Sequence, residues 1–395
     1  MVYNFDQIIE RHHTDCEKYD TMCEHHIPED VLPLWVADMD FSACPEVLSA
    51  LNARIAHGVF GYPKVGSAYK KAVQHWFSSR FSWNTQENWV VQTPGVVYAL
   101  CTAIRSFTNE GDHVLIQPPV YPPFANSVLK NNRNLSTNPL VLKNNRYTID
   151  FVDFENKIVQ DNVKLFILCS PHNPVGRVWT KEELFRMGEI CLRHHVLIVS
   201  DEIHADFVYK GYHSIFASVD PRFAENCIVC TSPSKTFNLA GLQLSNIFIP
   251  NSKLRKQFVS ELEKEGYCEP NVMALIACQA AYEYGEEWLT QLKQYLSDNI
   301  AFVRQFLQEQ LSELQLIEPE GTYLLWLDFR KLNMKDSELD HFLTHDAKLW
   351  LNSGAIFGKE GSGFQRVNIA CPRSILKQAF CQLEQAYRKY RPSQK

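Results

Sequence analysis

A chain of 395 residues exceeds one compact domain, and at about 150 residues per domain it predicts two or three. Hydrophobic residues make up 45% and charged residues 21%, a globular composition that excludes extended disorder. The 39 Lys and Arg against 45 Asp and Glu leave a formal net charge of −6, which gives no electrostatic reason to expect nucleic acid or an anionic membrane as main partner.

The N-terminal MVYNFDQIIERHH has no basic stretch followed by an apolar core, so no secretory signal is expected. The longest apolar stretch, Val272 to Cys278, is far shorter than the ~18–20 residues a spanning helix needs. A soluble cytoplasmic protein is the expectation. Residues 1–45 show neither strand nor helix periodicity and are expected to pack on a second domain and on the substrate site. From about residue 85 short apolar runs alternate with helical patterns: WVVQ (89–92), a helix over 96–107, HVLIQ (113–117), KLFILC (164–169), HVLIVS (195–200), CIVCTS (227–232) and NIFIP (246–250). Runs this rich in Val, Ile and Leu read as strands covered on both faces of a mainly parallel sheet. TKEELFRMGEICLRH (180–194) is helical, with Thr180 and Glu183 in capping-box spacing.

After about residue 285 the pattern changes to a long amphipathic helix (288–311), TYLLWLDF (322–329), a helix near 337–346, QRVNIA (365–370) and a last helix (374–390). The chain thus divides into residues 1–45, a large α/β domain over 46–285 and a small α+β domain over 286–395, with RPSQK as a frayed tail. The twelve cysteines form no dense framework, and several lie inside apolar runs where Cys acts as a small hydrophobe. The C-x-x-C at Cys227 and Cys230 has no second pair and reads as buried strand, and the paired histidines lack the i, i+4 spacing of metal ligands. No metal site is expected.

In open α/β sheets ligands bind at the carboxyl ends of the strands, so the polar residues after each apolar run are the candidates. They are Gly95 after WVVQTP, Tyr121 after VLIQPPV, Asn173 in SPHNPVG, Asp201 in IVSDEIH, and Lys235 in TSPSKTF. Taken singly each has a bland reading: a surface lysine, a capping aspartate, an N-P-x-G turn, a core tyrosine. Lys235 fits the surface reading badly, because it follows a buried strand and precedes the apolar FNLAGL.

Asn-Pro-x-Gly, Ser-Asp-Glu and Ser-x-Ser-Lys in this order resemble the fold-type I pyridoxal phosphate (PLP) enzymes, the aspartate aminotransferase superfamily. The resemblance runs from WVADMDF (35–41) to QRVNIA (365–370), and SDEIH with SKTFNLAGL looks most like the MalY/PatB-type C–S β-lyases within it. It implies a PLP-transferase-like fold with a seven-stranded large-domain sheet, and PLP bound to Lys235 as the Schiff-base lysine. It further implies Asp201 at the pyridine nitrogen, Asn173 at the 3-oxygen, Tyr121 stacked on the ring, and His204 nearby. The amides of Val96 and Val97 with the hydroxyls of Ser232 and Ser234 would take the phosphate. Arg366 matches the arginine that binds the substrate carboxylate, although Arg373 lies close in sequence; Ala37 and Asp38 would line the substrate pocket. Tyr62 matches a tyrosine that reaches the partner protomer's phosphate, implying a homodimer with shared sites. One departure is Gln243, which stands where many aminotransferases carry a phosphate-binding arginine, eight residues after the lysine.

The implied activity is α,β-elimination of cystathionine or related cysteine conjugates to pyruvate, ammonia and a thiol. The alternatives are an aminotransferase, which uses the same residues, and a PLP-binding regulatory protein acting through a protein partner. Nothing resembling a helix-turn-helix extension is seen, so direct DNA binding is not expected.

Overall fold

The structure, a computed structural model, describes residues 2–390; the RPSQK tail lies outside the described residues. Seven strands form the larger sheet: β1 (Val90–Thr93), β2 (His113–Ile116), β3 (Asn134–Thr137), β4 (Leu165–Cys169), β5 (Leu197–Asp201), β6 (Cys227–Thr231) and β7 (Ser245–Phe248). Their spatial order is β1-β7-β6-β5-β4-β2-β3, and only β7 runs antiparallel to its neighbours. Every residue of β4, β5 and β6 is buried, which is why their sequences are continuous apolar runs. The edge strand β3, NLST, has no such run, and its mixed composition follows from its place at the sheet margin.

Helix α1 (Val96–Phe107) follows β1, and α2 (Lys181–Arg193) lies between β4 and β5. The capping box of α2 is present: Glu183 N donates to Thr180 Oγ1 at 3.1 Å and Thr180 N to Glu183 Oε2 at 2.9 Å. All twelve cysteines are free, and Cys227 and Cys230 lie buried on β6.

The second sheet is antiparallel, with β8 (Gln315–Ile317), β9 (Leu324–Asp328), β10 (Asn352–Ser353) and β11 (Phe364–Asn368) in the order β8-β9-β11-β10. Helices α3 (Glu286–Gln310) and α4 (Arg373–Tyr390) pack against each other beside it. The N-terminal stretch lies along this sheet. Leu32–Pro33 pair in parallel with Leu349–Trp350, Asn368 N donates to Leu34 O, and Asp40 N donates to Ala370 O.

A strut joins the two sheets just before β9. Glu320 accepts from Arg177 Nε and Val178 N, each at 2.9 Å, and Gly321 N donates to Gly176 O at 3.0 Å. A Cβ at Gly321 would sit 2.6 Å from Phe207 O, so the close backbone approach requires glycine there. The strut fixes Tyr323 relative to the loop that carries Asn173. Among the described residues no helix is long and apolar enough to cross a membrane.

Candidate active site

The five strands β1, β2, β4, β5 and β6 point their carboxyl ends to one edge, and the candidate residues gather there. Asp201 is the last residue of β5, in register with Cys169 of β4 and Cys230 of β6. Its carboxylate is buried and accepts a hydrogen bond from Ile203 N at 3.1 Å. Burial pushes the carboxyl up to about 7, against the opposing pull of that N–H. Lys235 sits in the turn after β6, with Nζ donating to Ala37 O at 2.7 Å. Part of its surface opens on the cleft, yet desolvation, and then the Arg366 charge, bring the ammonium down to about 8.

Arg366 comes from β11 of the other sheet, and its fork is held from three sides. Nη1 donates to Asn173 Oδ1 at 3.0 Å, Nη2 to Trp35 O at 2.8 Å, and Nη2 also to Asn352 Oδ1. The guanidinium lies over the Phe357 ring at 5.0 Å. Buried Nε has no hydrogen-bond partner. Desolvation lowers this arginine to about 10, so it stays charged at neutral pH. Arg373 does not join the cluster: it opens α4, donates to Asn299 Oδ1 at 2.6 Å and packs over Phe302. Of the two arginines, Arg366 is the one at the strand ends.

Tyr121 is half-buried, and its N–H donates to Asn173 O at 3.2 Å. His204 is buried edge-on to Tyr323, with Nδ1 unpartnered; burial, then Lys235 and Arg366, pull it to about 3, so the ring is neutral. Ser232 Oγ donates to Leu244 O at 2.6 Å and contacts Ser234 Oγ at 2.8 Å. Gly95 precedes α1, whose N-terminus has no side-chain cap, so the amides of Val96 and Val97 are free for an anion. A Cβ built on Gly95 meets nothing within 4 Å, so the residue before the helix start is not crowded. Tyr62 stands 94% exposed, in an open groove shared with Pro94 and Gln243.

Asp38 stands close enough to Lys235 to favour its ammonium; Oδ2 pairs with Arg11 at 2.5 Å, buried Oδ1 has no hydrogen-bond partner, and Arg11 with buried Lys18 ties the neighbouring Asp40. Ala37 does face the cluster, through its carbonyl. Three residues unmarked by sequence reasoning also belong here: Tyr323, Asn352 and Asn368. For Asn368 a signal existed, since strand alternation puts it on the same face as Arg366. Tyr323 and Asn352 carried none, being a strand aromatic and an ordinary polar residue.

The donor set fits PLP. A buried carboxylate lacking a cationic hydrogen-bond partner suits a protonated ring nitrogen, an amine of lowered basicity suits an aldehyde, and an uncapped helix start with two serines suits a phosphate.

Comparison with known proteins agrees with this geometry. The aminotransferase class I and II family matches residues 29–381. Cystathionine beta-lyase PatB of Bacillus subtilis is 41% identical over 97% of this chain and 99% of its own. Protein MalY of Escherichia coli is 35% identical over 99% of this chain and 100% of its own. The crystal structure of cystalysin from Treponema denticola, which contains pyridoxal 5'-phosphate, superimposes with a TM-score of 0.96 at 36% identity, covering 99% of this chain and 100% of that one.

Proposed function

The chain belongs to the aminotransferase class I and II family, and from that premise we propose that it is a PLP-dependent C–S β-lyase. Its substrates are cysteine-derived thioethers such as cystathionine, and its products pyruvate, ammonia and a thiol. The observation that carries the reading is Lys235: an amine of lowered basicity at the strand ends, with buried Asp201 and Arg366 among its neighbours.

When bound, PLP supplies the electron-withdrawing ring that stabilises negative charge at the substrate Cα. Asp201 would hold a proton at the ring nitrogen, Asn173 would donate to the 3-oxygen, and Tyr121 would pack on the ring. His204 lines the site as a neutral ring. The amides of Val96 and Val97 and the hydroxyls of Ser232 and Ser234 would hold the phosphate; Gln243 would add no charge there. Arg366 takes the substrate α-carboxylate in its fork, and Asn173, Asn352 and Trp35 O keep that fork in place. Lys235 takes the proton from Cα. With a pKa of about 8, a useful share of the amine is neutral at physiological pH. Loss of the proton lets the thiolate leave from Cβ.

Incubation with cystathionine and no 2-oxo acid should yield pyruvate over many turnovers, with thiol matching it one for one. An aminotransferase would stop after about one equivalent, because its ping-pong cycle needs an acceptor. A strict requirement for 2-oxoglutarate, with glutamate as product, would reject the lyase reading.

The reading includes a homodimer. Val59, Phe60 and Tyr62 are exposed in succession, at 60%, 57% and 94%, beside the groove that holds Gln243. A partner's Tyr62 hydroxyl would give the phosphate a donor where Gln243 gives no charge. Tyr62→Phe should weaken PLP retention roughly 10- to 100-fold, the value of a hydrogen bond to a charged group. A fully active monomer in sedimentation would refute shared sites.

A further inference from the structure

Residues 35–41 cross the cleft without forming strand or helix, yet side chains hold five of their carbonyls in succession. Trp35 O accepts from Arg366 Nη2 at 2.8 Å, and Val36 O and Asp38 O accept from Asn368 Nδ2 at 2.5 and 2.6 Å. Met39 O accepts from Asn238 Nδ2 at 2.9 Å and from Arg11 Nη1 at 3.2 Å. Between them, Ala37 O accepts two donors: Lys235 Nζ at 2.7 Å and Tyr323 Oη at 2.9 Å. Asp40, bound to fully buried Lys18 at 2.7 Å, anchors the far end. The Ala37 carbonyl is therefore a fixed point.

Given Lys235 as the amine that moves the Cα proton, we propose that Tyr323 is a positioning residue that sets the basicity of Lys235 through the carbonyl they share. A carbonyl oxygen has two lone pairs, and Tyr323 and Lys235 occupy both. The hydroxyl draws charge from the oxygen and leaves a weaker acceptor for Nζ. An ammonium gains more from a strong acceptor than a neutral amine does, so weakening the acceptor favours the neutral amine.

The charged neighbours of Nζ bracket this effect. Arg366 from β11 disfavours the ammonium, while Asp201 from β5 and Asp38 from the crossing segment favour it. His204 is neutral, and Tyr121, near Asp201 and Arg366, has its phenol raised by burial. Tyr323 itself is fully buried, with Phe207 edge-on at 5.0 Å and His204 at 5.8 Å. Burial raises its phenol far above the ordinary value, so it remains a donor at any working pH.

Tyr323→Phe removes the hydroxyl and keeps the ring. Two profiles read the amine: the acid limb of kcat with cystathionine, where substrate has released the lysine, and the rate at which the PLP-free chain captures added PLP as a function of pH. Both midpoints should rise by roughly half to one pH unit, the scale of one neutral hydrogen bond. Phe207→Leu loosens the ring but keeps the hydroxyl, and should leave both midpoints in place. Unchanged midpoints in Tyr323→Phe, or an equal rise in Phe207→Leu, would overturn the proposal. Should Tyr323→Phe fail to fold, 3-fluorotyrosine placed at 323 makes a stronger donor and must lower the midpoints; no change or a rise overturns it. The capture profile needs no elimination, so failure of the lyase reading and failure of this one are separable.

Discussion

Lys235→Ala is expected to abolish pyruvate formation and to leave no PLP on the chain after borohydride reduction. Loss of a positioned general base alone costs about 10²–10⁴-fold, and here the covalent hold on the cofactor goes as well, so the fall should exceed 10⁴-fold. The fold should survive. Lys235 stands in a short turn after β6, and its amine makes one hydrogen bond, to Ala37 O, that an apolar side chain need not replace. Removing an amine whose charged form burial disfavours also relieves a desolvation cost. Peptide mass spectrometry after reduction gives the first readout. Wild-type turnover, or a borohydride-fixed adduct on another lysine, would dismiss Lys235.

How much of this site was legible depended on which atoms do the binding. Asp201, Lys235 and Asn173 follow apolar runs that are apolar because β4, β5 and β6 are buried throughout, so position and chemistry could be read together. β3 was not individually legible, because an edge strand needs no continuous apolar run and NLST has none. Arg366 and Arg373 look alike in sequence and differ only in partners, one at Asn173 and the other at Asn299, which lie far off along the chain. The same distance hid the ion pair of Asp38: nothing local announces that Arg11, 27 residues earlier, pairs with its Oδ2. The segment 35–41 acts chiefly through backbone carbonyls, which carry no residue-type signal at all. Tyr323 disappeared into TYLLWLDF because a strand aromatic is core in most settings, and only its hydroxyl, directed at Ala37 O, sets it apart.

Asp201→Asn should do two opposite things, and together they test why a carboxylate is buried at the end of β5. In the PLP-free chain burial raises this carboxyl from 3.8 to about 7. The folded state then binds more protons than the unfolded state between those values. Stability contributed by the group is present below about 4 and falls as pH rises towards 7. Asparagine has no charge to desolvate, so the PLP-free variant should melt higher than the wild type above pH ~7, by a margin on the order of a few kcal/mol. That margin should shrink as pH falls and vanish near pH ~4. With PLP present the ranking reverses in function. A neutral amide cannot hold a proton at the ring nitrogen, and breaking a buried charge pair costs about 3–5 kcal/mol, so turnover should fall at least ~10²-fold. PLP should also raise the melting temperature of the wild type more than that of the variant. Melting curves of both chains from pH 4 to 8, with and without PLP, give the whole pattern. A PLP-free variant no more stable than wild type at pH 8 would show that burial does not strain Asp201. Full turnover in the variant would show that its charge is not what the chemistry uses.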